Sequence, residues 1–87
     1  MIKLQNIDLS KVSLKEQYKK CIEEECEFYE AANNALTQEK ERDHAMEEFY
    51  DCMQSKLGVL YKLGISAYDV MKYYPNHLEK LKHRPRD

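Results

Sequence analysis

Residues that interrupt regular backbone are rare in this sequence. Only two glycines and two prolines are spread over 87 residues, far fewer than turn-rich β-proteins need. A chain of this length buries only about 60% of the surface that its unfolded form exposes, and such domains often need partner chains. The hydrophobic fraction of 43% is still enough for a folded core. The sequence therefore predicts one small all-α domain that is completed by association with further copies.

Start and stop signals divide the chain into three helices. Residues 13–16 (Ser-Leu-Lys-Glu) and 66–69 (Ser-Ala-Tyr-Asp) have the form of capping boxes. Gly64 suits the position just past a helix end, and Pro75 should kink the helix that contains it. The predicted elements are an N-terminal extension 1–12, helix one 14–36, helix two 38–63 and helix three 66–83. Helices one and two form an antiparallel hairpin, and oligomerisation completes a helical bundle.

Apolar residues recur at helical spacing on helices one and two, and we predict that these two stripes pack against each other. The stripe of helix one consists of Leu14, Tyr18, Cys21, Ile22, Phe28, Tyr29, Ala32 and Leu36. The stripe of helix two consists of Met46, Phe49, Met53, Leu57 and Leu60. Glu25 falls near the middle of the first stripe. Either Glu25 faces a partner subunit, or the buried side of helix one lies at a different angle.

The formal net charge of −2 conceals a strong segregation of charge along the chain. Residues 23–51 hold eleven acidic and two basic residues, whereas residues 72–87 hold five basic and two acidic residues. The near-neutral total argues against a general nucleic-acid binder. An acidic hairpin followed by a basic segment suits a site that binds a cation together with a phosphate.

Composition also bears on the membrane and on the compartment. The mean hydropathy of −0.83 argues against a membrane protein, and the first ten residues lack the features of a signal peptide. Three cysteines without a Cys-x-x-Cys pair favour reduced thiols in a cytoplasm. A zinc site formed by Cys26, His44 and Cys52 is an alternative. It lacks the closely paired ligands of structural zinc sites, so we interpret the cysteines as small core residues.

Two acidic clusters indicate a function. Each contains two carboxylates at i and i+3, which a helix brings to one face. The pairs are Glu24 with Glu27, and Glu48 with Asp51. A hairpin that turns at 36–39 would set both pairs at the same level and on the same side. Four carboxylates so placed repel one another unless a cation lies among them, and oxygen ligands suit Mg²⁺ or Mn²⁺. The alternative is a solvated acidic face.

The segments that carry these pairs resemble a known family. Residues 21–28 (CIEEECEF), 46–53 (MEEFYDCM) and 61–65 (YKLGI) are similar to the MazG-like all-α nucleoside triphosphate pyrophosphohydrolases. That family holds Mg²⁺ with a Glu-x-x-Glu on one helix and a Glu-x-x-Asp on the next. The resemblance covers roughly residues 18–84 and implies that the metal ligands are Glu24, Glu27, Glu48 and Asp51. The basic tail is similar to the family's closing helix, which implies phosphate contacts by Lys80 and Arg84.

The implied reaction is hydrolysis of a (d)NTP to the (d)NMP and pyrophosphate by a homodimer or homotetramer. Glu23 or Glu47 could accept a proton from the attacking water. His44 lies one turn before Glu48, and we interpret it as a surface residue. Four tyrosines could stack on a base, but we interpret them as core or interface residues: Tyr29, Tyr50, Tyr73 and Tyr74. The alternative function is a non-catalytic helical metal- or protein-binding module on the same scaffold.

Overall fold

Three α-helices make up most of the structure, a computed structural model that describes residues 3–84. They are α1 (Leu14–Thr37), α2 (Arg42–Lys62) and α3 (Ala67–Lys82). A short 3₁₀ turn, Glu39–Glu41, joins α1 to α2, so α2 begins four residues later than the predicted start at 38. No strand occurs within residues 3–84, and the predicted all-α class is confirmed.

Both predicted capping boxes are present and fix where α1 and α3 begin. At α1, the Glu16 amide donates to Ser13 Oγ at 3.1 Å, and the Ser13 amide donates to Glu16 Oε1 at 3.3 Å. At α3, the Asp69 amide donates to Ser66 Oγ at 3.1 Å, and the Ser66 amide donates to Asp69 Oδ2 at 3.0 Å. Each box satisfies amides that the first turn of a helix leaves without intrahelical partners.

The end of α2 is set by Gly64, which has a φ of +87°. The Gly64 amide donates to the Tyr61 carbonyl at 3.0 Å, and the Ile65 amide donates to the Leu60 carbonyl at 2.9 Å. This pair of bonds is a Schellman motif, which favours glycine because its left-handed residue carries no Cβ. Beyond the turn, α3 continues as one helix through Pro75.

The buried side of α1 differs from the predicted stripe. The residues of α1 that are buried are Gln17, Glu24 and Ala31, which are spaced by seven. The bulky residues of the predicted stripe point elsewhere, since Tyr18, Ile22, Tyr29 and Leu36 are 48%, 63%, 62% and 82% exposed. The prediction that this stripe packs against α2 is therefore wrong for these four residues, whereas Phe28 of the same stripe does pack on Phe49 of α2. The most apolar side of α1 is not its most buried side, because the interface of α1 with α2 holds polar and small residues.

Polar and small side chains let the two helices of the hairpin approach closely. Gln17 Nε2 donates to the Ser55 carbonyl at 2.8 Å across the interface between α1 and α2. A Cβ built on Gly58 would lie 2.7 Å from Gln17 Nε2 and 2.6 Å from Leu9 Cδ1. A larger residue at position 58 would therefore require the side chain of Leu9 or Gln17 to shift. Glu25, whose place was left open, forms an ion pair with Lys56 of α2 at 2.5 Å.

Residues 3–12 form a segment, here called the strap, that connects the hairpin to α3. The strap is held by four hydrogen bonds to residues distant in sequence. They are Leu4 N to Met71 Sδ (3.2 Å), Gln54 Nε2 to Gln5 O (2.8 Å), Ala67 N to Asn6 Oδ1 (3.0 Å) and Lys62 Nζ to Leu9 O (2.5 Å). α3 packs little against the hairpin directly, and the bonds at Met71 and Ala67 attach it to the strap, which the bonds from Gln54 and Lys62 join to α2.

One side of the hairpin presents a set of exposed and half-buried apolar residues, here called the aromatic face. Its members are Phe28, Tyr29, Met46, Phe49, Tyr50 and Met53. Phe28 and Phe49 meet edge to face across the two helices with ring centroids 6.1 Å apart, yet Phe49 is 49% exposed.

No large side chain within residues 3–84 is fully buried. No helix of this described part has the length and apolar character that a membrane crossing needs.

Candidate metal centre

Three carboxylates from the two helices of the hairpin meet at one level, and we call them the carboxylate seam. They are Glu24 and Glu27 of α1 and Glu48 of α2, and one oxygen of each lies within 4.8 Å of the others. Glu24 belongs to the heptad-spaced row of α1 that faces α2, which carries its side chain between the helices. The structure therefore brings together three of the four carboxylates that the resemblance implies.

Two oxygens of the seam are buried and lack hydrogen-bond partners. Glu24 is only 5% exposed, and its Oε2 accepts no hydrogen bond. Glu48 has a side-chain exposure of 13%, and its Oε2 is likewise buried and unpartnered. Buried polar atoms are nearly always hydrogen-bonded because an unsatisfied one costs free energy. A positive group placed at these oxygens would remove that cost.

The remaining charges around the seam engage only the other oxygen of each buried carboxylate. Lys20 Nζ lies 2.7 Å from Glu24 Oε1, and His44 Nε2 lies 3.7 Å from Glu48 Oε1. The charge of Glu24, followed by lost hydration and the charge of Glu48, raises the pKa of Glu27 above its ordinary value. His44, interpreted from the sequence as a surface residue, is half exposed and borders the seam.

The chemistry of the donor set fits a hard divalent cation. All three side chains offer carboxylate oxygens, the ligands that Mg²⁺ and Mn²⁺ favour. The two unpartnered oxygens, Glu24 Oε2 and Glu48 Oε2, belong to different helices, so a shared cation would also tie α1 to α2. Glu24, Glu27 and Glu48 are therefore the residues that could hold a metal ion.

Asp51, the fourth implied ligand, lies outside this group of three. It is exposed and lines a cleft together with Glu24 and Lys20. Glu23 and Glu47, the candidate proton acceptors, are both exposed on the helices that carry the seam.

The residues of α3 that the resemblance implies for phosphate binding make contacts of their own. Lys80 Nζ donates to Tyr73 Oη at 3.0 Å and lies 5.6 Å from the centre of the same ring. Arg84 is exposed just beyond the end of α3. The four tyrosines considered for base stacking are all between 45% and 62% exposed, so none belongs to the core of one chain.

The zinc alternative gains no support from the positions of its residues. Cys26 is exposed, Cys52 is buried between the helices, and His44 borders the carboxylates. Burial raises the pKa of the Cys52 thiol, which opposes the thiolate form that zinc binds. Within residues 3–84, the seam is the group of ligand-type side chains close enough to share an ion.

Sequence reasoning missed Lys20 and the cleft that it borders, here called the strap cleft. The cleft has a volume of about 370 Å³ and lies between the strap and the hairpin. Its lining includes Leu9, Gln17, Lys20, Glu24, Asp51 and Gln54. The i, i+4 spacing of Lys20 and Glu24 was the available signal. The cleft itself could not be found in this way, because it depends on where the strap crosses the hairpin.

Comparisons with family models, with curated proteins and with solved structures found no match to this chain.

Proposed function

We propose that this protein is a nucleotide pyrophosphohydrolase that depends on Mg²⁺ or Mn²⁺ and converts a (d)NTP to the (d)NMP and pyrophosphate. The observation that carries the proposal is the carboxylate seam with its two buried, unpartnered oxygens. Exposed acidic side chains are common without a metal, but a 95% buried glutamate with an unsatisfied oxygen is unusual. The resemblance to MazG-like proteins supplies the reaction.

In this proposal Glu24, Glu27 and Glu48 hold the metal ion, and Asp51 reaches it from the strap cleft. A bound Mg²⁺ supplies neutralisation of phosphate charge and a lower pKa for the attacking water. Glu23 and Glu47 are proposed proton acceptors, since both are exposed beside the seam.

Phosphate contacts by Lys80 and Arg84 also remain part of the proposal. Lys80 uses one of its three N–H donors on the hydroxyl of Tyr73, which leaves two for a phosphate oxygen. Arg84 is exposed and makes no salt bridge to a described residue.

We further propose that two or four copies of the chain associate through the aromatic face. Tyr29, Phe49 and Tyr50 are 62%, 49% and 45% exposed there, although aromatic side chains gain most from burial. Clefts of about 450 Å³ and 480 Å³ separate this face from Leu4 and Val70. Large contiguous apolar surface on a small protein is typical of an interface, and a second copy would complete the helical bundle.

The test is a hydrolysis panel of (d)NTPs in Mg²⁺ with detection of pyrophosphate and of the monophosphate. Wild type should release both products from at least one nucleotide, and Glu48→Gln should reduce the rate by about 100-fold, as loss of a metal-supporting group does. Glu30→Gln, an exposed glutamate on α1 outside the seam, should behave as wild type. Absence of turnover with every nucleotide would contradict the proposal.

The second candidate is a non-catalytic metal- or protein-binding module, which the exposed aromatic face favours. A metal that binds the native state raises the free energy of unfolding, whether or not hydrolysis follows. Stabilisation by Mg²⁺ without release of pyrophosphate would therefore support the module. If Mg²⁺ neither stabilises the protein nor supports release of pyrophosphate, the aromatic face would remain as the functional surface.

A further inference from the structure

Cys21 and Cys52 lie on the sides of α1 and α2 that face each other. Cys21 follows Gln17 by four residues and precedes Glu24 by three, and both of these neighbours are buried. Cys52 is itself buried and precedes the buried Ser55 by three residues. Steps of three and four residues keep side chains on one face of a helix. Each cysteine therefore belongs to the interface between the two helices.

Two contacts across the interface bracket these cysteines. On one side, Gln17 Nε2 donates to the Ser55 carbonyl at 2.8 Å. On the other side, carboxylate oxygens of Glu24 and Glu48 lie within 4.8 Å of each other. Because the helices of the hairpin run antiparallel, the turn of α1 between Gln17 and Glu24 passes the turn of α2 between Ser55 and Glu48. The two cysteines are the members of these turns that face the interface, so they meet at one level.

The electrostatics of Cys52 agree with this placement. Burial is the main cause that raises the pKa of the Cys52 thiol, and the charge of Cys21 raises it further. The effect of one charge on another falls with distance. An effect of Cys21 on Cys52 is therefore what neighbouring sulfurs would produce.

Cys26 is placed differently from the other two cysteines. It is exposed and follows Glu24 by two residues, which is about 200° around the helix. Cys26 thus lies on the outer side of α1, away from Cys52. Of the three possible pairs, only Cys21 with Cys52 can join the two helices without a change in their packing.

We propose that Cys21 and Cys52 form an oxidation site, at which hydrogen peroxide joins α1 to α2 through an intrachain disulfide. Peroxide transfers one oxygen to the half-buried Cys21 sulfur, which gives a sulfenic acid and one water. The Cys52 sulfur then attacks the sulfenic sulfur, the S–O bond breaks, and the hydroxide leaves with the Cys52 proton as a second water. Two thiols are oxidised by two electrons in total, and one peroxide is reduced to two waters. The inference goes beyond the proposed function and does not depend on a metal at the seam.

The disulfide would stabilise the hairpin because it closes the chain from residue 21 to residue 52, across the turn. A closed loop restricts the unfolded chain more than the folded one. For a domain of this size, the thermal midpoint should rise by about 10 °C.

The experiment compares Cys26→Ser with Cys21→Ala, each of which retains Cys52 and one cysteine of α1. The second variant is the matched control, because the loop that Cys26 would close with Cys52 is only five residues shorter and chain entropy hardly distinguishes the two. Circular dichroism first confirms equal helix content in the reduced proteins. Both are then treated with hydrogen peroxide, separated by non-reducing electrophoresis and digested with trypsin. The disulfide joins peptide 21–40 to peptide 43–56, which mass spectrometry detects.

Cys26→Ser should give the joined peptides from protein that migrates as a single chain. Its thermal midpoint should rise by about 10 °C on oxidation and return when dithiothreitol is added. Cys21→Ala should give the joined peptides in a yield at least about 10-fold lower, because its sulfurs are not held facing each other. This result would assign the disulfide to the facing pair.

Three results would overturn the inference. Oxidation of Cys21 to sulfinic acid without joined peptides would show that Cys52 does not reach it. Equal yields from the two variants would show that the disulfide forms in opened chains rather than in the folded hairpin. A thermal midpoint that is unchanged or lowered by the disulfide would show that the bond does not fit the interface between α1 and α2.

Discussion

The carboxylate seam and the aromatic face lie on the same two helices, α1 and α2. The seam buries charged side chains, whereas the aromatic face exposes apolar ones. At the seam, Glu24 and Glu48 are charged groups carried into the interior, each with one oxygen lacking a partner. On the aromatic face, Tyr29 and Phe49 are apolar groups left 62% and 49% exposed. The seam lacks a positive group at these two oxygens, and the aromatic face lacks apolar cover.

The two regions therefore call for binding partners of different chemistry. Buried carboxylates are stabilised by a cation, whose attraction grows as water is excluded. Exposed aromatic rings are stabilised by further apolar surface, which a second copy of the chain can provide. The heptad-spaced row of α1 explains both placements at once. By turning Glu24 toward α2, it turns the bulky residues outward.

The largest expected effect comes from Glu48→Gln, which removes one charge from the seam. With Mg²⁺ at 100 times its Kd, wild type should gain about 2.7 kcal/mol in the free energy of unfolding. The variant should lose this gain, yet in EDTA it should be at least as stable as wild type, because repulsion within the seam is reduced. Urea unfolding with and without Mg²⁺ measures both, with Glu30→Gln as the control. If Mg²⁺ raised the free energy of unfolding equally in all three proteins, the carboxylate seam would not be its binding site.

The next effect concerns the aromatic face and uses Phe49→Glu. A charge in place of a ring that is buried on association should raise the dissociation constant of the oligomer by about 100-fold, from the apolar area lost. Sedimentation velocity over a range of concentrations measures it. Ile22→Glu is the control, since Ile22 is 63% exposed on α1 but lies outside the aromatic face. Equal weakening by both substitutions would place the interface elsewhere.

A smaller effect is expected at the place where the strap meets the hairpin. Gly58→Ala adds a methyl group 2.6 Å from Leu9 Cδ1. Overpacking costs about 1–3 kcal/mol, and the higher helix propensity of alanine returns about 1 kcal/mol. A net loss of up to about 2 kcal/mol in unfolding free energy should appear in urea titrations. The double variant with Leu9→Ala should lose less than the sum of the single variants; strict additivity would refute the contact.

The smallest effect tests how weakly α3 is attached in comparison with the hairpin. Hydrogen bonds from the Ser66 backbone and side chain lower the pKa of Asp69. Because the folded-state pKa is below the unfolded one, the stabilisation is present above the unfolded pKa and is lost as pH falls through the folded value. Asp69→Asn should therefore reduce helix content and thermal midpoint at pH 7, and the difference from wild type should fade as the pH falls below the lowered pKa of Asp69. A difference that is independent of pH would exclude the carboxylate as its cause.

Glu16 of the α1 box offers a comparison for this last experiment, since Ser13 lowers the pKa of Glu16 in the same way. Glu16→Gln should change helix content less than Asp69→Asn does, because α1 is packed along α2 while α3 is held mainly by the strap. Circular dichroism at pH 7 and in acid measures the helix content of both variants. A larger loss from Glu16→Gln would contradict the described attachment of α3.

Local features of the fold could be predicted from sequence, whereas the buried side of α1 could not. The capping boxes at Ser13 and Ser66 and the turn at Gly64 depend on residues within a few positions, so their signals are complete in the sequence. The buried side of α1 depends on what α2 offers. A hydrogen bond from Gln17 and the small residue at Gly58 outweigh the apolar stripe.

The candidate site divides in the same way. The meeting of Glu27 with Glu48 was predicted from their equal distance to a turn at 36–39, and it occurs although the observed turn lies later, at Glu39–Glu41. The burial of Glu24 was not expected, because the predicted stripe placed that residue to one side. Lys20 lines the strap cleft, and this cleft is a tertiary feature that no local pattern specifies.

Electron paramagnetic resonance of Mn²⁺ can test directly whether the carboxylate seam binds a metal ion. The signal of free Mn²⁺ falls as the ion binds protein. Wild type should remove this signal in proportion to protein concentration until its sites are filled. The double variant Glu24→Gln/Glu48→Gln, confirmed as folded by circular dichroism, should leave the signal at the level of buffer. An undiminished signal with wild type, or an equal loss with the double variant, would contradict a metal site at the carboxylate seam.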